Sequence, residues 1–167
     1  ARGLEVQQIA SAAFADDEVR AVFCARGGYG CTRLLPGLDT RALDARRKPL
    51  IGYSDITALH AVMQGLGAIS FHAPMPASDL VVDGAEDDAQ ALFALLMNPL
   101  RAGHVFAPTL LPGAWQVPGR EGASARGRLV GGNLSLIAAL AGTRFALDAH
   151  SAIVFIEDVS EALYRVD

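Results

Sequence analysis

Twice within its first 60 residues the chain sets a short, unbroken apolar run against a glycine turn and then a helical pattern. The first is "AVFCARGGYG" at residues 21–30, the second "PLIGYSD" at residues 49–55. An apolar run this short that does not alternate with polar residues has both faces buried. That is the habit of strands in a parallel sheet covered by helices on each side. A third run, "AISFHAP" at residues 68–74, repeats the pattern. Helical spacing is predicted over residues 4–14, around Thr32 to Leu35, around Leu43, and over 56–66 with a stop at Gly65 or Gly67. It is predicted again over 86–97, closed by Asn98-Pro99. This alternation reads as an α/β fold with a doubly wound, mostly parallel sheet.

The texture changes after about residue 100. Pro99, Pro108, Pro112 and Pro118 are half of the eight prolines, and no helical period runs through them. Residues 1–105 are assigned to an α/β domain carrying the candidate nucleophile, 106–126 to a linker, and 127–167 to the beginning of a second domain. There "GGNLSLIAALAG" (131–142) reads as a glycine turn, a short apolar helix and a glycine stop. "SAIVFI" (151–156) reads as a strand, and "EDVSEALYRVD" (157–167) as the opening of a helix.

Bulk properties narrow the function classes. Hydrophobic residues make up 51% of the chain and charged residues 19%, so a buried core is expected. The net charge is −4, and the densest cationic stretch is Arg46-Arg47-Lys48. Nucleic acid is therefore not expected as a partner, because neutralising phosphates takes clustered cations. Cys24 and Cys31 make neither a metal-ligand spacing nor a disulfide framework. No apolar run reaches the ~18 residues of a membrane helix, and "ARGLEVQQ" has no leader character, so a cytoplasmic location without membrane association is expected. No metal or cofactor is expected.

Three places can carry chemistry. "RGGYG" (26–30) turns the backbone sharply and can aim N–H groups at an anion, or it is simply a tight strand-to-helix turn. It is neither a P-loop nor a dinucleotide fingerprint. "GYSD" (52–55) has the strand–turn–helix context of a nucleophile elbow but lacks the second glycine of that motif. The same residues fit a helix cap in which Ser54 or Asp55 accepts a backbone N–H. In "FIEDVSE", Asp158 and Glu161 fit a capping box, which leaves Glu157 as the unexplained acid at a strand end. None of His60, His72, His104 and His150 is placed beside Ser54 by spacing, and each reads as structural.

Taken in order, "ARGGYG", "GYSD", "GGNLSLIAALAGT" and "IVFIEDVSEALYRVD" resemble the LD-carboxypeptidases, a serine peptidase family that includes the microcin C immunity proteins. The resemblance implies an N-terminal α/β domain like that of the class I glutamine amidotransferases, joined to a β-rich C-terminal domain. It implies a Ser-Glu-His triad with Ser54 as nucleophile and Glu157 as its acid. The backbone N–H groups of Asp55 and of Gly28 would form the oxyanion hole. The implied reaction is cleavage of the L,D-amide that releases terminal D-alanine from a small muropeptide, in murein recycling. Immunity-type members instead hydrolyse aminoacyl-nucleotide conjugates, and a non-catalytic binding module is the alternative of another class. Family members are commonly homodimers.

Two family features are expected outside these residues. The triad histidine lies downstream of the "ED" block in a Gly-His context, and an early strand with a Pro-Ser-Gly loop precedes the first block. The chain is thus expected to be the middle of a longer protein and to be inactive alone. Ala73 stands where family members often have glycine.

Overall fold

A computed structural model of the protein describes residues 2–46, 48–98, 125–159 and 161–162. Most of the expected linker and of the helix expected after Glu157 lies outside the described residues. Three parallel strands, β1 (Val22–Phe23), β2 (Leu50–Gly52) and β3 (Ser70–His72), form a sheet in the order β1-β2-β3. Val22 pairs with Leu50, and Leu50 with Ser70. The β1–β2 ladder runs only from Val22 N donating to Pro49 O to Cys24 N donating to Ile51 O. It is shorter than the apolar run that announced it. Every residue of β2 is buried, with Ile51 wholly excluded from solvent, as expected of a central strand without alternation.

Helices α1 (Arg2–Ala15), α2 (Cys31–Leu34) and α3 (Thr40–Arg46) flank this sheet, with α4 (Thr57–Gly65) between β2 and β3. Helix α4 buries Thr57, Ala58, His60, Ala61, Val62 and Met63. Their core partners include Phe14 of α1, Leu43 of α3 and Leu50 of β2. Lys48 is buried as well. Its Nζ donates to Ala13 O at 3.1 Å and to Asp16 O, so it satisfies carbonyls at the end of α1 that no helical N–H can reach. The densest cationic stretch thus contains a structural lysine. Helix α5 (Glu86–Met97) has the bounds read from the sequence. Three acidic residues in its first turn suit the helix dipole, and Asn98 ends it before Pro99.

The described part of residues 127–167 is a strand–helix–strand unit. Strands β4 (Arg128–Asn133) and β5 (Ala152–Glu157) pair in parallel, bridged by α6 (Leu134–Leu140). The Asn133 side chain caps α6 by accepting from Leu136 N. Gly131 and Gly132 are not a turn, as their doublet suggests, but part of β4, at φ +146° and +140°. A Cβ on Gly131 would stand 1.8 Å from Phe155 O, and one on Gly132 would stand 2.5 Å from Thr57 Oγ1. Close approach of β4 to β5 and α4 is what demands glycine at both positions. Leu140 of α6 joins the core containing α4, so the unit packs on the first sheet's helix layer.

Candidate active site

The site is built where β2 turns into α4. Gly52 (φ +155°) and an extended Tyr53 lead into Ser54, which sits at φ +63°. Left-handed backbone at a non-glycine residue costs roughly 1–2 kcal/mol, and such strain collects where a side chain must be displayed. A single 3₁₀ turn (Ser54–Ile56) follows and passes into α4. No side chain caps either start, and no hydrogen bond engages Ser54 Oγ among the described residues. The capping reading of Ser54 therefore does not hold.

Asp55 does cap a helix, but not its own. It is buried, and its Oδ2 accepts from Cys31 N at 2.9 Å, at the start of α2. The bond spans 24 residues and ties the elbow to the end of the "RGGYG" turn. The Cys31 thiol lies against the same carboxylate. Burial, and then Asp55, push that thiol far above its ordinary range.

The glycine turn meets Ser54 directly. A Cβ on Gly27 would lie 3.1 Å from Ser54 Cβ and 3.2 Å from Ser54 Oγ, whereas a Cβ on Gly28 would meet nothing within 4 Å. Gly27, missed in the sequence, is the glycine whose α-carbon abuts the serine, and Gly28 borders open space. Nothing in "GG" tells the two apart without coordinates. The amides of Gly27, Gly28 and Asp55 donate to no atom among the described residues.

A third wall, also missed, is the loop after β3. Met75 is buried, with its Cε 3.6 Å from the Gly27 Cβ position, and Ala77 N donates to Ala25 O at 2.8 Å. Tyr53 Oη donates to Asp79 Oδ1 at 2.7 Å. That bond, then burial, raises the Tyr53 phenol above its usual value.

Glu157 ends β5 opposite Asn133, whose amide donates to Thr57 Oγ1 in the first turn of α4 at 3.0 Å. This clamp brings the strand end to the helix that Ser54 opens. Glu157 Oε1 is buried and without a hydrogen bond among the described residues. Its charge reaches both Tyr53 and His72: burial holds His72 below the usual imidazole value, and Glu157 opposes that. The neighbouring Asp158 accepts from Glu161 N at 3.0 Å, as the capping-box spacing predicts.

The described histidines do not serve Ser54. His72 packs edge-on against Phe155 at 5.0 Å and lies 5.7 Å from the Tyr53 ring. His60 is buried, its Nε2 2.8 Å from Gly52 O. A carbonyl only accepts, so Nε2 carries the proton and Nδ1 is left without a partner. His150 is exposed beside Ser151, and His104 lies outside the described residues. A cavity of about 660 Å³ opens between β3, α5 and β4, but neither Ser54 nor Glu157 lines it. Among the described residues no three His, Cys, Asp or Glu side chains gather as a metal site. None of the described helices is long and apolar enough to cross a membrane.

A strained serine between a parallel strand and a helix, set against a glycine turn, is the arrangement of a nucleophile elbow on an α/β fold. The LD-carboxypeptidase N-terminal domain matches residues 6–73, and the LD-carboxypeptidase C-terminal domain matches residues 126–167. A probable murein peptide carboxypeptidase of Bacillus subtilis is 39% identical over 155 residues, covering 92% of this chain and 47% of the relative. The murein tetrapeptide carboxypeptidase of Pseudomonas aeruginosa is 38% identical, covering 93% of this chain and 50% of the relative. The crystal structure of muramoyltetrapeptide carboxypeptidase from Oxalobacter formigenes superposes with a TM-score of 0.78 at 29% identity, over 98% of this chain and 53% of that one. The microcin C7 self immunity protein MccF shares the fold, at a TM-score of 0.75 and 23% identity, over 96% of this chain and 54% of that one. The chain belongs to the LD-carboxypeptidase family of serine peptidases, and it spans about half the length of the curated relatives it matches.

Proposed function

We propose that the protein containing this chain is a serine-type LD-carboxypeptidase that releases terminal D-alanine from murein tetrapeptides. Ser54 Oγ attacks the carbonyl carbon of the L,D-amide, and its proton passes to a histidine supplied from outside the described residues. Glu157 holds that imidazole in the tautomer able to accept. The amides of Asp55 and Gly28 donate to the developing oxyanion, with Gly27 packed beside the serine; each such donor contributes about 3 kcal/mol. The protonated histidine then gives its proton to the departing D-alanine nitrogen, and water cleaves the acyl-serine in the reverse sense.

The observation that carries this reading is Ser54 itself, held at φ +63° against Gly27 with an uncommitted hydroxyl. The uncommitted, buried Oε1 of Glu157 supports it. Murein peptide is favoured over an aminoacyl nucleotide because two relatives at 38–39% identity carry murein peptidase names, whereas the likeness to MccF speaks for the fold alone. Two free thiols, Cys24 and Cys31, suit a reducing, cytoplasmic compartment.

The test is D-alanine release from murein tetrapeptide by the intact protein, beside Ser54→Ala and Glu157→Gln. Ser54→Ala should abolish release, and Glu157→Gln should lower kcat by roughly 10⁴-fold. Release that survives Ser54→Ala would overturn the assignment.

A further inference from the structure

We infer that Asp79, acting through Tyr53, is a positioning residue that sets the nucleophile elbow against the glycine turn. The inference rests on the proposed role of Ser54. Tyr53 immediately precedes the strained serine, and among the described residues its only side-chain hydrogen bond runs to Asp79 Oδ1 at 2.7 Å. The other carboxylate oxygen, Oδ2, accepts from Met75 N at 2.8 Å and from Ser78 Oγ at 2.7 Å. Asp79 thus fixes the loop that carries it and the residue next to Ser54 with the same group.

The loop has a second anchor. Ala77 N bonds to Ala25 O, the residue before the glycine turn, and the buried Met75 reaches to 3.6 Å from where a Gly27 Cβ would stand. One short loop therefore holds both halves of the site, the serine through Tyr53 and the glycine turn through Ala25 and Met75. Burial works against ionisation of Asp79, but bonds from Ser78, Met75 and Tyr53 outweigh it and keep its carboxyl below the usual value. The acceptor is therefore charged under working conditions, and bonds to a charged group are the stronger kind.

The test uses the intact protein with Tyr53→Phe, Asp79→Ala and the double variant. Two rates are read: kcat for D-alanine release, and labelling of Ser54 by a small fluorophosphonate, which needs no substrate binding. Each single variant should slow both rates by roughly tenfold to a hundredfold, the worth of a hydrogen bond to a charged group, with KM unchanged. Asp79→Asn keeps one acceptor oxygen and should recover part of the loss. The double variant should be no slower than the worse single, since both remove the same link. Parent-like labelling with only a lowered Tm would overturn the inference, as would additive losses. If Asp79→Ala fails to fold, Tyr53→Phe decides, because it leaves the Met75 and Ser78 bonds in place. If the parent labels but releases no D-alanine, the substrate assignment fails while the labelling rates still decide this one. If the parent does not label, amide hydrogen exchange decides: faster exchange over residues 26–28 and 53–55 in Tyr53→Phe supports the link, and unchanged exchange refutes it.

Discussion

Gly27→Ala isolates the contact between the glycine turn and the serine. Gly27 is not in the left-handed region, so alanine brings no backbone penalty there, and its whole effect is the added methyl. That carbon would lie 3.1 Å from Ser54 Cβ and 3.2 Å from Ser54 Oγ. Carbon atoms pack best at about 3.5–4.0 Å, so the contact is short by about half an ångström. The Met75 Cε, at 3.6 Å, blocks the other side without clashing. Ser54 cannot yield freely, because its φ of +63° is already strained and Asp55, next in sequence, is bonded to Cys31. Overpacking of this kind costs about 1–3 kcal/mol. A misplacement of about 1 Å at a reacting centre costs on the order of a hundredfold in rate. With a displacement of a few tenths of an ångström, kcat should fall by roughly tenfold while Tm drops by a few degrees. The assay pairs kcat for D-alanine release with the rate of Ser54 phosphonylation and a thermal melt. Parent rates in a stably folded Gly27→Ala protein would show that the α-carbon of Gly27 does not abut the nucleophile.

Gly131→Ala puts a methyl on Phe155 O at φ +146°, and its chemical denaturation midpoint should fall by several kcal/mol in equivalent stability, beyond a typical point mutation. Asp55→Ala orphans the Cys31 amide at the start of α2 and should cost about 1–3 kcal/mol, with Asp55→Asn recovering most of it in the same melt. Burial, only partly opposed by the bond to Gly52 O and joined by the His72 charge, holds His60 below its ordinary 6.5. The unfolded chain then binds the proton more readily, so stability is full above the unfolded value and falls as pH drops through it. Denaturation at about pH 7.5 and about pH 5.5 should show a smaller loss in His60→Gln than in the parent, the residual slope coming from His72, which is lowered in the same sense. Burial pushes the Cys24 thiol up to about 11, and iodoacetamide at mildly alkaline pH should alkylate it only after unfolding.

The α/β alternation could be read from the chain because its cues are local. Buried strands such as "LIG" have unbroken apolar runs, and α5 has acids at its start and Asn98-Pro99 at its end. The candidate site was only partly legible. On spacing alone "GYSD" favours a cap over an elbow; what separates them is the backbone torsion at Ser54 and the commitment of Asp55 to a different helix. Both are tertiary facts. The same holds for Gly131 and Gly132, whose lack of a side chain answers the nearness of Phe155 and Thr57 rather than any need to turn. Asp79 gave no signal because its partner, Tyr53, lies 26 residues away. Glu157 was found by elimination, since its neighbours had capping duties and it had none.

The most direct measurement is the site of covalent capture by a serine-directed fluorophosphonate in the intact protein, mapped by peptide mass spectrometry. The adduct should sit on Ser54 alone and vanish in Ser54→Ala. An adduct on another residue, or none on Ser54 in protein that still releases D-alanine, would contradict the assignment of Ser54 as the nucleophile.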